Sequence, residues 1–224
     1  MGVLKDLTKE YFGEKVRKED EINIEGLDVE IVTFTDNNGN YHRRGYKPIN
    51  TSSLQKLLER MIEVRGDEGD FNDIDTSDIK SMDSLFMKNK TFNGNISGWN
   101  VSKVEDMSYM FFGAESFNQP IRKWDVSSVI DMESMFHKAA SFNQPIGDWK
   151  FPKVKDMNSM FSNATSFNQK IGNWTFPKVD NMEYMFNKAI SFNQDISNWN
   201  IQGVNVYSMF TNCPIKDEFK PKKK

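Results

Sequence analysis

The sequence predicts an α/β repeat protein: a right-handed solenoid with a short parallel sheet, capped by a small N-terminal α+β segment. Three observations predict it. First, Phe92, Phe117, Phe142, Phe167 and Phe192 each open a copy of one phrase, and every step is 25 residues. Self-similarity at a fixed period of this size is the mark of a repeat architecture and outranks local propensity. Second, each copy carries an apolar–variable–apolar triplet, from Trp99 and Val101 to Trp199 and Ile201, which reads as a short strand with alternate residues inward. Third, Val129, Met132, Met135 and Phe136, with their counterparts, are spaced as the face of a short helix or 3-10 turn. Parallel stacking of six such strands would give a sheet roughly 25 Å across at ~4.8 Å per strand.

The chain divides accordingly. Residues 1–66 hold a helix, a β-hairpin and a capping helix, residues 67–213 the repeats, and 214–224 a charged tail. Leu4, Leu7, Tyr11 and Phe12 fall at helical spacing, which predicts a helix over 3–17. Asp36–Gly39 is a turn signal between Leu27–Phe34 and Tyr41–Tyr46, so a hairpin is expected across 28–46. Ser52 and Gln55 fit a capping box. Leu54, Leu57, Leu58, Met61 and Ile62 mark one helical face, and Gly66 stops the helix. That face is expected to cover the end of the first coil, whose core would otherwise meet water.

The first coil, 71–91, is weak: Ile74 stands where later copies have Trp, and Ile79 where they have Val. The last, from Phe192, is one residue short, with the loss near Asn205.

Comparing copies assigns roles to the columns. Ser81, Asp106, Asp131, Asp156, Asn181 and Asn205 precede the first Met of each copy or its equivalent. All are good helix N-caps, and a metal site would not accept Ser and Asn in the same register, so capping is the expected role. Asn72, Asn93, Asn118, Asn143, Asn168 and Asn193 predict an asparagine ladder between coils. Ala114, Ala139, Ala164, Ala189 and Cys213 share a column that needs a small buried group, so Cys213 reads as core.

Composition narrows the function classes. Lys and Arg total 29 against 32 Asp and Glu, a net charge of −3, which argues against a nucleic-acid binder. His42-Arg43-Arg44 and Lys220–Lys224 are basic but short, and read as solvated. Mean hydropathy is −0.66, yet the apolar residues are concentrated in fixed columns. A single cysteine excludes an internal disulfide framework. No run approaches the ~20 apolar residues of a membrane span. The start has no apolar h-region and no myristoylation motif, so neither a signal peptide nor an anchor is expected. His42 and His137 are the only histidines, and His137 sits in a column with Phe112, Ser162, Asn187 and Thr211 that reads as unconstrained surface. Phosphate-loop, zinc-protease, Cys-x-x-Cys and nucleophile-elbow motifs do not occur. The expectation is a non-enzyme with no cofactor and no metal.

The phrase Ser-Phe-Asn-Gln-x-Ile-x-x-Trp followed by Val-x-Asp-Met-x-x-Met-Phe resembles the BspA-like leucine-rich-repeat family of bacterial surface proteins, over residues 71–213. The resemblance implies a leucine-rich-repeat-like curved solenoid with strands on its inner face. It also implies protein binding or adhesion at a cell surface or host contact. Family members at the surface usually carry a secretion signal or lipid anchor, which this sequence does not show.

The expected binding face is the concave one, at variable positions on either side of each Trp. These are Gly98 and Asn100, Lys123 and Asp125, Asp148 and Lys150, Asn173 and Thr175, and Asn198 and Asn200. Mixed charges and amides point to a protein partner rather than a field of one sign. A monomer that binds another protein is expected. The alternative is an intracellular inhibitor or immunity-type protein that blocks its target.

Overall fold

The computed structural model describes residues 22–35 and 42–222. The predicted helix over 3–17 and the Asp36–Gly39 turn lie outside them. Strands β1 (Val29–Thr35) and β2 (His42–Pro48) pair antiparallel, with Val29 opposite Pro48 and Thr35 opposite His42. Helix α1 (Thr51–Arg65) follows. Its N-cap is Asn50, two residues before the expected Ser52. The Asn50 side chain accepts from the Ser53 N–H at 2.9 Å, and the Asn50 N–H donates to Ser53 Oγ at 3.1 Å. Gly66 ends the helix at φ 74°, a region open to glycine, with its N–H donating to the Ile62 carbonyl. Leu54, Leu57, Leu58 and Met61 are fully buried, and Ile62 is half-buried.

From Phe71 onward the expected α/β solenoid is overturned. Among the described residues the repeats contain no α-helix and no strand. The regular elements are β1, β2, α1 and a 3-10 turn at Asp217–Phe219. In place of a parallel sheet there is one column of isolated parallel bridges, linking Ser81, Asp106, Asp131, Asp156, Asn181 and Asn205 in succession. The repeats are stacked coils built of turns.

The reason lies in where the backbone hydrogen bonds go. The Trp-x-Val triplet was expected to pair as a strand, but each side of it closes on itself: the Trp99 N–H donates to the Ile96 carbonyl, and the Val104 N–H to the Val101 carbonyl. In three of the five copies the indole then donates to a carbonyl of the preceding coil. Trp99 Nε1 donates to the Phe71 carbonyl at 2.9 Å, and Trp174 and Trp199 Nε1 to Ile146 and Ile171 at 3.1 Å. Trp174 and Trp199 stack at 6.0 Å, wider than the ~4.8 Å between paired strands.

The Met-x-x-Met-Phe segment, expected as a short helix, is a run of β-turns. In the second coil the N–H groups of Met110, Phe112 and Ala114 donate back three residues to Met107, Tyr109 and Phe111. The intervening N–H groups of Met107, Tyr109, Phe111 and Gly113 donate outward, to Asp131, Glu133, Met135 and His137 of the next coil. The same four-bond row occurs at all five junctions, from Met82, Ser84, Phe86 and Lys88 to Met182, Tyr184, Phe186 and Lys188. Alternation of this kind requires left-handed residues. φ is positive at Tyr109 (55°) and Gly113 (68°), and at the same two places in every other coil, where Ser, Tyr, Lys or Asn stands.

Side chains fill the interior column by column. Phe111 lies 3.8 Å from Phe117, which opens the following copy, and meets Phe136, its equivalent one repeat on, at 5.6 Å. Each of these pairs repeats along the stack. The Met and Ala columns from Met107 to Ala189 are fully buried. Cys213 departs from its column: it is half-buried at the open end, with Sγ 3.5 Å from the Phe192 carbonyl.

The hairpin joins the stack as an extra layer. Tyr46 bridges Ile74 in parallel, with the Tyr46 N–H on the Asp73 carbonyl and the Asp75 N–H on the Tyr46 carbonyl, each at 2.8 Å. Gly45 is required there, since a Cβ would stand 2.1 Å from the Phe34 ring and 2.6 Å from the Asp73 carbonyl oxygen. Arg65 grips the buried Asp73 with both guanidinium nitrogens at 2.7 Å.

Two outcomes are expected in urea melts. Trp149→Ala removes a fully buried ring whose Nε1 has no hydrogen-bond partner, so the loss is packing alone, about 3–5 kcal/mol. Lys138→Gly relieves a left-handed residue (φ 58°) at the position that Gly113 fills one coil earlier. Release of ~1–2 kcal/mol of strain, less ~0.5–1 for glycine's freedom when unfolded, leaves a gain of roughly 0.5–1 kcal/mol.

Candidate protein-binding face

All ten residues singled out from the sequence are exposed. Gly98, Lys123, Asp148, Asn173 and Asn198 precede buried indoles, and Asn100, Asp125, Lys150, Thr175 and Asn200 follow them. The alternation of exposed and buried residues that a strand would have produced is therefore present without a strand. Turns closed at Ile96–Trp99 and Val101–Val104 hold the two exposed residues on either side of an indole that packs inward.

The face is polar and internally paired. Arg122 Nε donates to Asp148 Oδ2 of the next coil at 2.8 Å. That pair is exposed, so it is worth little to stability. Gly98 donates its N–H to Asn72 Oδ1 at 2.7 Å, and Asn100 lends its carbonyl to the Thr76 hydroxyl at 2.9 Å. Gly147, next to Asp148, sits where a Cβ would lie 2.3 Å from the Lys170 carbonyl oxygen. The backbone at this face is thus fixed by close approach of the next coil. Lys123, Asp125 and Lys150 project from it as alternating charges.

The neighbouring rim is the asparagine ladder, as expected from Asn93 onward, while Asn72 stands outside it and accepts from Gly98. Asn93, Asn118, Asn143 and Asn168 each accept from the N–H of the Asn one coil on, always at 3.0 Å. The ladder ends with Lys216, whose N–H takes Asn193. Sequence reasoning missed the following column. Gln119, Gln144 and Gln169 Nε2 reach back to the Asn carbonyls at 2.7–2.8 Å, binding the same edge twice. Its signal was the constant Asn-Gln pair in the phrase.

The acidic column at the bridges does not cap helices. Asp106, Asp131 and Asp156 each accept from the N–H two residues on, at 2.7–2.9 Å, and so close local turns. The residue types were predicted for the right reason, a side chain that accepts from nearby backbone, but for the wrong element. Asp131 is held above the usual carboxylate range, first by burial. The Glu133 N–H opposes this, and Asp156 and Asp106 add to it. Among the described residues no group of three metal-ligating side chains comes together. His137 is not unconstrained surface. Its ring stacks on Phe112 at 4.7 Å and is half-buried, and burial, then Lys138, pushes it down to about 4. At the other end, Lys103 and then Lys47 hold the Asp78 carboxyl down to about 2. The side chains of His42 and Arg43 lie outside the described residues. No described helix is long and apolar enough to cross a membrane.

Two pH effects are expected in thermal melts. His137 stays neutral in the folded chain while the unfolded chain protonates near 6.5. Stability is therefore full above about pH 6.5 and falls toward about 4, by roughly 1–2 kcal/mol after discounting for partial exposure. His137→Asn, the residue type at position 187, should flatten that decline. Asp131 has the opposite sign. Its raised carboxyl penalises the folded state at neutral pH, and stability is lost as pH rises through its folded value. Asp131→Asn should raise Tm at pH 7, with the gain shrinking as pH falls through the carboxylate range.

The chain matches the family model described as Mycoplasma protein of unknown function, DUF285, over residues 52–166 and 146–217. The match runs from α1 to the 3-10 turn, and the chain belongs to this family. No curated protein and no solved structure matches it.

Proposed function

We propose that this member of the DUF285 family is a non-catalytic protein-binding module whose docking surface is the row of residues flanking the indoles. The observation that carries the reading is internal to the chain. Every Trp is buried, its two neighbours are exposed in all five copies, and those neighbours vary while the frame around them does not. A repeat scaffold that holds its backbone fixed and changes only outward residues is suited to recognise a partner through side-chain chemistry. The partner this surface suits is a protein bearing both charges and amides, since Lys123, Asp125, Asp148 and Lys150 alternate in sign.

The resemblance to BspA-like surface repeat proteins supports a cell-surface or host-contact role for that binding. The repeat phrase supports that role, and the exposed positions beside buried indoles support the docking row. Cell fractionation tests the compartment directly.

Capture from a lysate of the native organism, with mass spectrometry to identify the partner, tests the binding face. Reversing Lys123, Asp125, Asp148 and Lys150 together should abolish binding of the purified partner while leaving Tm nearly unchanged, because all four are exposed. Equal loss from changing Glu133 and Asn158, on the Met-x-x-Met-Phe side, would place binding there instead and overturn the reading.

A further inference from the structure

The four-bond rows between coils have a direction. Each coil sends its N–H groups to the coil that follows and offers its carbonyls to the coil before. A finite stack must therefore end in two unlike edges. In the last coil Asn205, Tyr207, Met209 and Thr211 supply the carbonyls, while the N–H groups of Val206, Ser208, Phe210 and Asn212 have no hydrogen-bond acceptor among the described residues. In the first coil the carbonyls of Asp83, Leu85 and Met87 have no donor among the described residues. α1 closes the interior of that coil yet takes only one carbonyl of the row, that of Ser81, through the Thr51 hydroxyl at 2.6 Å.

The two edges have matching shape. Both alternate in the same way, with left-handed residues at Ser84 and Lys88 in the first coil (57° and 61°) and at Ser208 and Asn212 in the last (50° and 57°). Spacing and backbone conformation are those that already join one coil to the next within the chain. The donor edge is also incompletely covered. Val206 and Phe210 are half-buried, whereas Met182 and Phe186, one coil earlier in the same columns, are fully buried. The 3-10 turn covers a different sector, where the Phe219 carbonyl accepts from Ile196. Charge agrees with the backbone. Segment 67–83 carries seven acidic residues and one lysine, although Arg65, Lys47 and Lys103 pair with Asp73 and Asp78. Segment 216–224 carries five lysines and two acidic residues.

We infer that the occupant of the donor edge is a second copy of this chain, seated head to tail. The N–H groups of Ser208, Phe210 and Asn212 meet the carbonyls of Asp83, Leu85 and Met87 in the neighbour. Such a contact joins unlike surfaces and leaves one free edge of each kind, so it extends into an open assembly rather than closing as a dimer. It departs from the monomer expected from sequence, and it is independent of the docking row beside the indoles.

Sedimentation velocity on the full chain tests it. Average mass should rise with concentration from 26.1 kDa without levelling at a dimer, and rise further as salt is lowered. Amide hydrogen exchange gives a second readout that needs no variant: the Ser208, Phe210 and Asn212 amides should slow as wild-type concentration increases. A mass fixed at one chain across the range overturns the inference. So does an assembly that stops at two, or one that forms with those three amides unchanged.

Discussion

Everything in this molecule depends on a one-way row of backbone hydrogen bonds. Four N–H groups of each coil point at four carbonyls of the next, and the alternate groups are consumed in turns inside the coil. Nearly every described backbone N–H and carbonyl along that row is bonded, which is what allows turn structure to be stacked as densely as a sheet. The arrangement has a conformational cost, because two residues in each coil must adopt positive φ, and in all but one instance they are not glycine. Burial offsets that cost. The Phe, Met and Trp columns are fully or nearly fully covered as far as Trp199, and an aromatic ring alone removes some 150–250 Å² from water.

Much of this was legible from residue types. The apolar positions that repeat with little change are the buried ones, and the asparagine rung was predicted from the capacity of an amide to bond two coils at once. The exposed neighbours of each Trp were also legible, because comparing copies within one chain separates frame from variable surface. That reading needs only burial to alternate, so it survived although the backbone path assumed for it did not.

The backbone itself was not legible, for two physical reasons. An apolar–variable–apolar triplet reports which side chains point inward, and a pair of tight turns alternates them as well as a strand does. Left-handed residues announce themselves only when they are glycine, and here Ser, Tyr, Lys and Asn occupy those sites, leaving Gly113 as the single hint. The helix start was misplaced for a related reason: Ser52 and Gln55 satisfy the capping template, but Asn50 and Ser53 form the bonds. His137 was misjudged because its column is chemically mixed, and the flat ring of Phe112 below it is visible only in three dimensions.

The uniformity of the junctions bears on how such a gene can change. Wherever a 25-residue unit is excised or duplicated whole, the coils brought together present the same row of donors and acceptors as those they replace. Unequal crossing-over between copies would then yield shorter and longer folded chains without repair of the interior. A seam that lacks this tolerance is the one at Tyr46 and Ile74, where the repeats meet a hairpin of different construction. Variation in unit number among relatives should begin beyond that seam.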